Sequence, residues 1–216
     1  MKYKAVLFDL DGTLLDTIDD LTASMNAALA QLGCPPRSIA ECKRFVGDGV
    51  VAFAKRSLPA DRRDEATVLQ CVGSMRQHYA SNWANKTQPY DGVPELLDAL
   101  TQRGLKLAIL SNKPDDTTQM CVNELLGGWA FEIVQGVCDG VEPKPDPSGA
   151  IHVAATLGIA PEQFLYMGDT NTDMQTANAA GMYAVGVLWG FRTAQELTEN
   201  GAATLLGSPC DLIELL

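Results

Sequence analysis

Four short stretches of this sequence carry side chains that could do chemistry, and all of them are acids, hydroxyls, amides or lysine. Asp9 and Asp11 stand two apart in Asp9-Leu10-Asp11-Gly12-Thr13, and Ser111 adjoins Asn112. Lys144 lies between prolines in Glu142-Pro143-Lys144-Pro145, and Asp169 and Asp173 bracket Thr170-Asn171-Thr172. Singly, each has a plain local explanation: Asp-Gly makes turns, Ser-Asn opens loops, a proline-flanked lysine is solvated, and an aspartate caps a helix. Together they are the mixture that phosphoryl transfer requires. A carboxylate nucleophile must approach a phosphate dianion, and two unit charges about 4 Å apart repel by roughly 4 kcal/mol at an effective dielectric near 20. A divalent cation held by Asp9 and Asp169 removes most of that repulsion, and all-oxygen ligation suits Mg²⁺. Lys144 adds fixed positive charge, while Ser111 and the backbone N–H groups of the Asp-Gly-Thr turn can donate to phosphoryl oxygens. Asp9 is then the nucleophile. Asp11 can protonate an alkoxide leaving group and afterwards activate water. Gly12 lets the backbone come close where a side chain would obstruct.

The elements that must position these groups can be read from periodicity. Lys4–Leu10 is an apolar, β-branched run, a strand ending in the acidic turn. Residues 16–85 have helical texture: Leu21, Met25, Ala28, Leu29 and Leu32 share one face, Asp16 or Thr17 can cap the start, and Gly33 stops it. Helix-like stretches follow at Ile39–Phe45, Val50–Leu58 and Arg62–Trp83. Beyond Pro89 the pattern alternates. Helix-like Val93–Arg103 leads to a strand at Leu105–Leu110, and helix-like Asp115–Leu126 to a strand at Glu132–Gln135. A helix at Pro147–Leu157 leads to a strand at Phe164–Met167, and a helix at Thr172–Ala180 to a strand at Ala184–Val187. Two short terminal elements follow. Such alternation predicts an α/β fold, a doubly wound parallel sheet of Rossmann type. Residues 1–15 and 86–216 form the predicted core, and 16–85 an all-helical domain inserted after the first strand. In open α/β sheets ligands bind beyond the carboxyl ends of the strands, where all four polar groups fall.

Composition narrows the partners. Hydrophobic residues make up 46% of the 216 and charged residues 20%, a balance that buries a sizeable core. No apolar run approaches the roughly 18–20 residues that span a bilayer, and the N-terminus lacks the pattern of a secretory signal. A net charge of −11 argues against nucleic acid and anionic membranes, so the expected partner is a small phosphorylated metabolite. The six cysteines are scattered without any Cys-x-x-Cys pair, which suits a reduced, cytoplasmic protein, acting as a monomer or homodimer. With only His78 and His152, serine-histidine triads and histidine-rich metal sites are poor readings. Asp169-x-Asn171-x-Asp173 imitates a calcium loop, but Met174 replaces its glycine and Ala180 its final glutamate. Gly47-x-Gly49-x-x-Ala52 belongs to no βαβ unit, so a dinucleotide site is not expected.

The ordered segments Asp9-Leu10-Asp11-Gly12-Thr13, Ser111-Asn112-Lys113-Pro114, Lys144-Pro145-Asp146-Pro147 and Gly168-Asp169-Thr170-Asn171-Thr172-Asp173 resemble the haloacid dehalogenase-like hydrolase superfamily, and within it the phosphoglycolate phosphatase-like branch. The resemblance implies a Mg²⁺-dependent phosphatase for a small phosphomonoester such as 2-phosphoglycolate, working through an aspartyl-phosphate. It makes Asp9 nucleophile and metal ligand, and Asp11 general acid/base with its carbonyl on the metal. Ser111, Asn112 and Lys144 bind the phosphoryl group, and Asp169 is a metal ligand. Thr13 and Asp173 stand behind these, Asp173 as a partner of metal-bound water or of Lys144. The helical insertion is similar to a mobile cap, and in Phe45-Val46-Gly47-Asp48-Gly49 and Ala54-Lys55-Arg56-Ser57-Leu58 it singles out Arg56 as a candidate substrate contact. Lys43, Arg44, Lys55 and Arg56 could equally form a solvated helix face. An acid at Asp11 favours phosphate esters over dehalogenation. The same core also serves pyrophosphatases and phosphosugar mutases, and a non-catalytic regulatory protein is a further alternative.

Overall fold

The structure, a computed structural model, describes residues 2–216. In chain order the elements are β1 (Ala5–Phe8), β2 (Leu15–Asp16), α1 (Ile18–Gln31), α2 (Ile39–Phe45), α3 (Gly49–Ser57), α4 (Glu65–Asn82) and β3 (Gln88–Pro89). Then come α5 (Val93–Gln102), β4 (Lys106–Pro114), α6 (Asp115–Leu125), β5 (Phe131–Val137) and α7 (Ser148–Leu157). The last are β6 (Phe164–Gly168), α8 (Asn171–Ala179), β7 (Tyr183–Val187), α9 (Ala194–Glu199) and β8 (Thr204–Leu206). Six strands form one parallel sheet in the order β5-β4-β1-β6-β7-β8, flanked by helices. This is the expected α/β, Rossmann-like architecture.

Two compact units are present. One joins the segment through Leu15 to Pro89–Leu216 and contains the six-stranded sheet; the other is Asp16–Gln88. The return crossing lies between Gln88 and Pro89. Its cause is Asp20, whose Oδ2 accepts from the Lys86 and Thr87 amides and from the Thr87 hydroxyl, holding that stretch to the helical unit.

The central strand β1 is buried at every position, as its unbroken apolar run requires of a strand covered on both faces. Its Ala5 and Leu7 lie in a cluster with Ala108, Leu110, Val153, Phe164, Tyr166, Met174 and Leu197. Within the helical unit α1 packs against α4, burying Leu21, Met25, Ala28 and Leu29 on one side and Val68, Cys71, Val72, Met75 and Tyr79 on the other. Ser38 closes a capping box with Glu41 at the start of α2. At the start of α1 the outcome differs from expectation: Thr17 occupies the cap position, but its hydroxyl makes no capping bond and is buried without a partner.

The long helix read from Arg62 begins at Glu65 instead, with Asp64 accepting from the Thr67 amide and a 3₁₀ turn at Ala60–Arg62 before it. A larger difference is β4. It does not end at Leu110 but continues through Ser111, Asn112 and Lys113 to Pro114, with a shift of register against β5 between Leu110 and Pro114. Polar residues remain buried in that extension because each finds partners there.

Candidate active site

Parallel register places the acids. Phe8 of β1 pairs with Met167 of β6 on one side and Ile109 of β4 on the other, so β1 and β6 end at nearly one level while β4 runs on past them to Pro114. Asp9 leaves β1 there, its amide donating to the Met167 carbonyl at 2.9 Å, and Asp169 leaves β6 beside it. Asp173 follows in the first turn of α8, a helix started by the Thr170 capping box, in which the Asp173 Oδ2 accepts from the Thr170 amide and hydroxyl. Asp9, Asp169 and Asp173 are all buried, with one carboxylate oxygen from each lying within 4.8 Å of the others.

Lys144 enters from the loop before α7. Its ammonium donates to the Asp173 Oδ1 at 2.7 Å and the Leu110 carbonyl at 3.1 Å, and pairs with the Asp9 Oδ1 at 2.8 Å. Those three contacts match the three N–H donors of an ammonium. Asn112 is grouped with the phosphate-binding residues by sequence; here both ends of its carboxamide pair with the Lys144 main chain, accepting from its amide at 2.8 Å and donating to its carbonyl at 3.0 Å. Asn112 therefore holds the lysine loop to β4. Ser111, 3% exposed, points its hydroxyl where it accepts from the Lys113 amide at 3.3 Å. Across the site, the Lys113 ammonium meets both carboxylate oxygens of Asp11 at 3.0 Å.

Three buried carboxylates facing one ammonium leave the pocket short of positive charge. Burial first, and then Asp173, push the Asp9 carboxyl up to about 7 against the pull of Lys144. Burial, then Asp9 and Asp173, hold Asp169 well above the ordinary carboxylate range. For Lys144 burial works toward the neutral form, but Asp173 and Asp9 outweigh it and keep the ammonium. The cluster is thus an all-oxygen donor set with a charge deficit, and those two properties fit a hard divalent cation.

The surroundings hold Asp169 in place. Its Oδ1 accepts from the Thr13 hydroxyl at 3.1 Å and its Oδ2 from the Phe191 amide at 2.8 Å. The Trp189 indole donates to the Thr13 carbonyl at 3.0 Å. Gly12 has φ +87°, and a Cβ there would strike the Asp169 carboxylate; Gly190 is equally confined by Asp169 and the Gly12 carbonyl. Gly12→Ala is accordingly expected to displace Asp169, add about 1–2 kcal/mol of backbone strain, and raise the metal concentration required for half-maximal activity. A metal titration of the activity, with circular dichroism as a fold control, checks this.

Residues 6–187 match the haloacid dehalogenase-like hydrolase family. The chain belongs to that family. It is similar to the phosphoglycolate phosphatase of Thiobacillus denitrificans, at 34% identity over 91% of this chain and 88% of the relative. The Aquifex aeolicus phosphoglycolate phosphatase is 31% identical over 99% of this chain and 96% of its own length. A crystal structure from Lactobacillus delbrueckii subsp. bulgaricus, provisionally described as a phosphoglycolate phosphatase, superposes with a TM-score of 0.93 at 32% identity, covering 100% of this chain and 98% of that one. The protein is a phosphoric monoester hydrolase of the phosphoglycolate phosphatase-like branch.

In this haloacid dehalogenase-like hydrolase, the structure brings Asp9, Asp11, Thr13, Ser111, Asn112, Lys144, Asp169 and Asp173 to the ends of β1, β4 and β6. Arg56 lies in the helical unit, where its guanidinium donates to the Phe45 carbonyl at 3.0 Å and pairs with Asp48 at 2.5 Å. Other contributors carried no signal of their own in the sequence. Lys113 stood inside a matching motif without a role assigned to it. The Trp189–Phe191 stretch acts through an indole, a main-chain amide and the absence of a side chain at Gly190. Tyr166 sends its buried hydroxyl toward the Asp173 Oδ1 at 3.5 Å. A tryptophan-glycine pair just past a strand end is the one clue that could have marked that stretch.

Proposed function

We propose that the enzyme hydrolyses a small anionic phosphomonoester, 2-phosphoglycolate or a metabolite close to it, through an aspartyl-phosphate on Asp9. The observation carrying this reading is the buried trio Asp9, Asp169 and Asp173 with Lys144 set between two of them. The Asp9 contacts to the Leu10 amide and to Lys144 both fall on Oδ1, so Oδ2 is the attacking oxygen. As Oδ2 bonds to phosphorus, the bond from phosphorus to the ester oxygen breaks, and its electron pair leaves with that oxygen. Asp11 gives its proton to the departing alkoxide. Water then attacks phosphorus, passes a proton to Asp11, and the electron pair of the Asp9–phosphorus link returns to the carboxylate. Ser111 donates to a phosphoryl oxygen. Lys144 holds Asp9 in line and offsets the phosphate charge.

Asp9, Asp169 and the Asp11 carbonyl would hold Mg²⁺, with Asp173 and Thr13 behind them. The ion supplies charge neutralisation for the phosphoryl group. For the helical unit, Asp16–Gln88, the role we propose is that of a cap, with Arg56 as its candidate contact for a substrate carboxylate. None of the six cysteines is in a disulfide among the described residues and four are buried, which supports a cytoplasmic setting; no helix among the described residues is long and apolar enough to cross a membrane.

The raised carboxyls give a pH-dependent prediction. Asp9 binds its proton more tightly folded, near pH 7, than unfolded, near its ordinary 3.8, so the metal-free fold loses stability as pH rises through that window. With a divalent cation bound, the trio would be held as carboxylates without that proton, and the penalty would be removed. The Mg²⁺-induced rise in Tm is therefore expected to be larger above neutral pH than in mild acid, as thermal unfolding with and without Mg²⁺ will show. Function itself is tested by a phosphate-release screen over physiological phosphate esters with Mg²⁺ present. Short anionic esters such as 2-phosphoglycolate should lead; no release from any ester, an aryl phosphate included, would refute the proposal.

A further inference from the structure

The grip of Lys113 on Asp11 is more elaborate than an ordinary ion pair. Lys113 lies near the end of β4, and its ammonium reaches a carboxylate 102 positions away in sequence, at 3.0 Å from each oxygen. Both side chains are largely withdrawn from water, the lysine to 5% exposure and the aspartate to 14%. A solvated pair of this kind would contribute little and be poorly fixed, whereas one enclosed to this degree sets the geometry of both partners.

The lysine main chain is itself anchored. Its amide donates to the Ser111 hydroxyl at 3.3 Å, and its carbonyl accepts from the Thr118 hydroxyl at 3.3 Å. Gly136 of β5 makes room for that arrangement: a Cβ there would lie 2.6 Å from the Lys113 carbonyl and 2.6 Å from the Thr118 hydroxyl. The register shift between Leu110 and Pro114 lies in the same stretch of β4. The strand, the first turn of α6 and a side-chain-free position on β5 thus converge on placing one ammonium.

Asp11 needs such a partner. It sits in a turn, and its proton must travel along one line to the leaving oxygen and return along another from water. A misplacement of about 1 Å can cost on the order of 10²-fold in rate. We infer that Lys113 is a positioning residue for Asp11, orienting its carboxyl for proton transfer in both halves of the reaction. This rests on the assignment of Asp11 as acid/base given above. Lys113 is not required to touch the substrate, and its effect should pass entirely through Asp11.

The leaving group separates this role from a merely structural one. An alkyl ester departs as a strongly basic alkoxide and needs the Asp11 proton, whereas 4-nitrophenolate departs without it. In Lys113→Met, steady-state turnover of an alkyl phosphomonoester should fall by about 10²-fold with little change in KM. The pre-steady-state release of nitrophenolate from 4-nitrophenyl phosphate should fall at least tenfold less. Lys113→Arg, which keeps the positive charge and offers a fork to the two oxygens, should recover part of the alkyl turnover. In an Asp11→Asn background, Lys113→Met should add almost nothing.

Equal losses on the alkyl ester and in the nitrophenolate burst would overturn the inference, as would a rise in KM with kcat retained or full additivity with Asp11→Asn. If Lys113→Met fails to fold, the same comparisons are made with Lys113→Gln, which can still donate to one carboxylate oxygen. The parent assignment is judged separately: an Asp11→Asn enzyme without a leaving-group split would refute the acid/base role, while a split in Asp11→Asn that is missing in Lys113→Met would refute only the inference.

Discussion

Asp9→Asn is expected to lower phosphate release by roughly four orders of magnitude or more, with the chain still folded. The carboxamide oxygen can keep accepting from the Leu10 amide, and Lys144 retains Asp173 and the Leu110 carbonyl, so these existing donors keep acceptors. Asparagine also carries no charge to bury, and burial first, then Asp173, is what pushes the Asp9 carboxyl up to about 7. In the absence of metal at neutral pH and above, the variant should therefore unfold at a temperature no lower than the parent. Activity and stability are expected to part company, which is the mark of a group present for chemistry. A phosphate-release assay paired with thermal unfolding reads both quantities, and undiminished turnover would refute the assignment.

Lys144→Met should do the opposite to stability. Methionine fills much of the volume of the lysine stem but leaves Asp9 and Asp173 buried without their shared cation. Breaking a buried pair by removing one partner typically costs about 3–5 kcal/mol, which in a chain of this size corresponds to a fall in Tm of roughly 6–20 °C. The loss should shrink as pH falls, because protonating the acids removes the charge left unopposed. Added Mg²⁺ should restore part of the stability, since a divalent cation can take up some of the same charge. Turnover should remain down by at least about 10²-fold even with Mg²⁺, because the ammonium proposed to offset the phosphate charge is gone. Unfolding curves at mildly acidic and alkaline pH, with parallel rate measurements, check both parts.

Sheet strands and acids were legible in the sequence for physical reasons. A strand buried on both faces has to be a continuous apolar run, so β1 and β6 announce themselves, and the polar residues that end them mark the carboxyl edge. Asp9, Asp11, Asp169 and Asp173 could be named because residue type and short spacing decide what they are able to do. Partner choice was not legible. Beside Ser111 nothing announced that the carboxamide of Asn112 pairs with the Lys144 peptide, which arrives from 32 residues away. Lys113 could not be told from a solvated lysine, because what buries it is the fold rather than its neighbours in sequence. Trp189, Gly190 and Phe191 support Asp169 through an indole bond to the Thr13 carbonyl, a missing side chain and a main-chain amide, roles that residue type barely reports. The Thr17 hydroxyl shows the same limit on a helix: the cap position was foreseeable, its missing bond was not.

The central claim is that phosphorus passes through Asp9, and acid-quenched turnover analysed by peptide mass spectrometry tests it most directly. With 4-nitrophenyl phosphate and Mg²⁺, and Asp11→Asn used to slow the water attack, the peptide containing Asp9 should gain the mass of one HPO₃ group. Hydroxylamine should remove it, as befits an acyl phosphate. Nitrophenolate release with the phosphoryl group on another residue, or with no phosphorylated peptide at any quench time, would contradict the account.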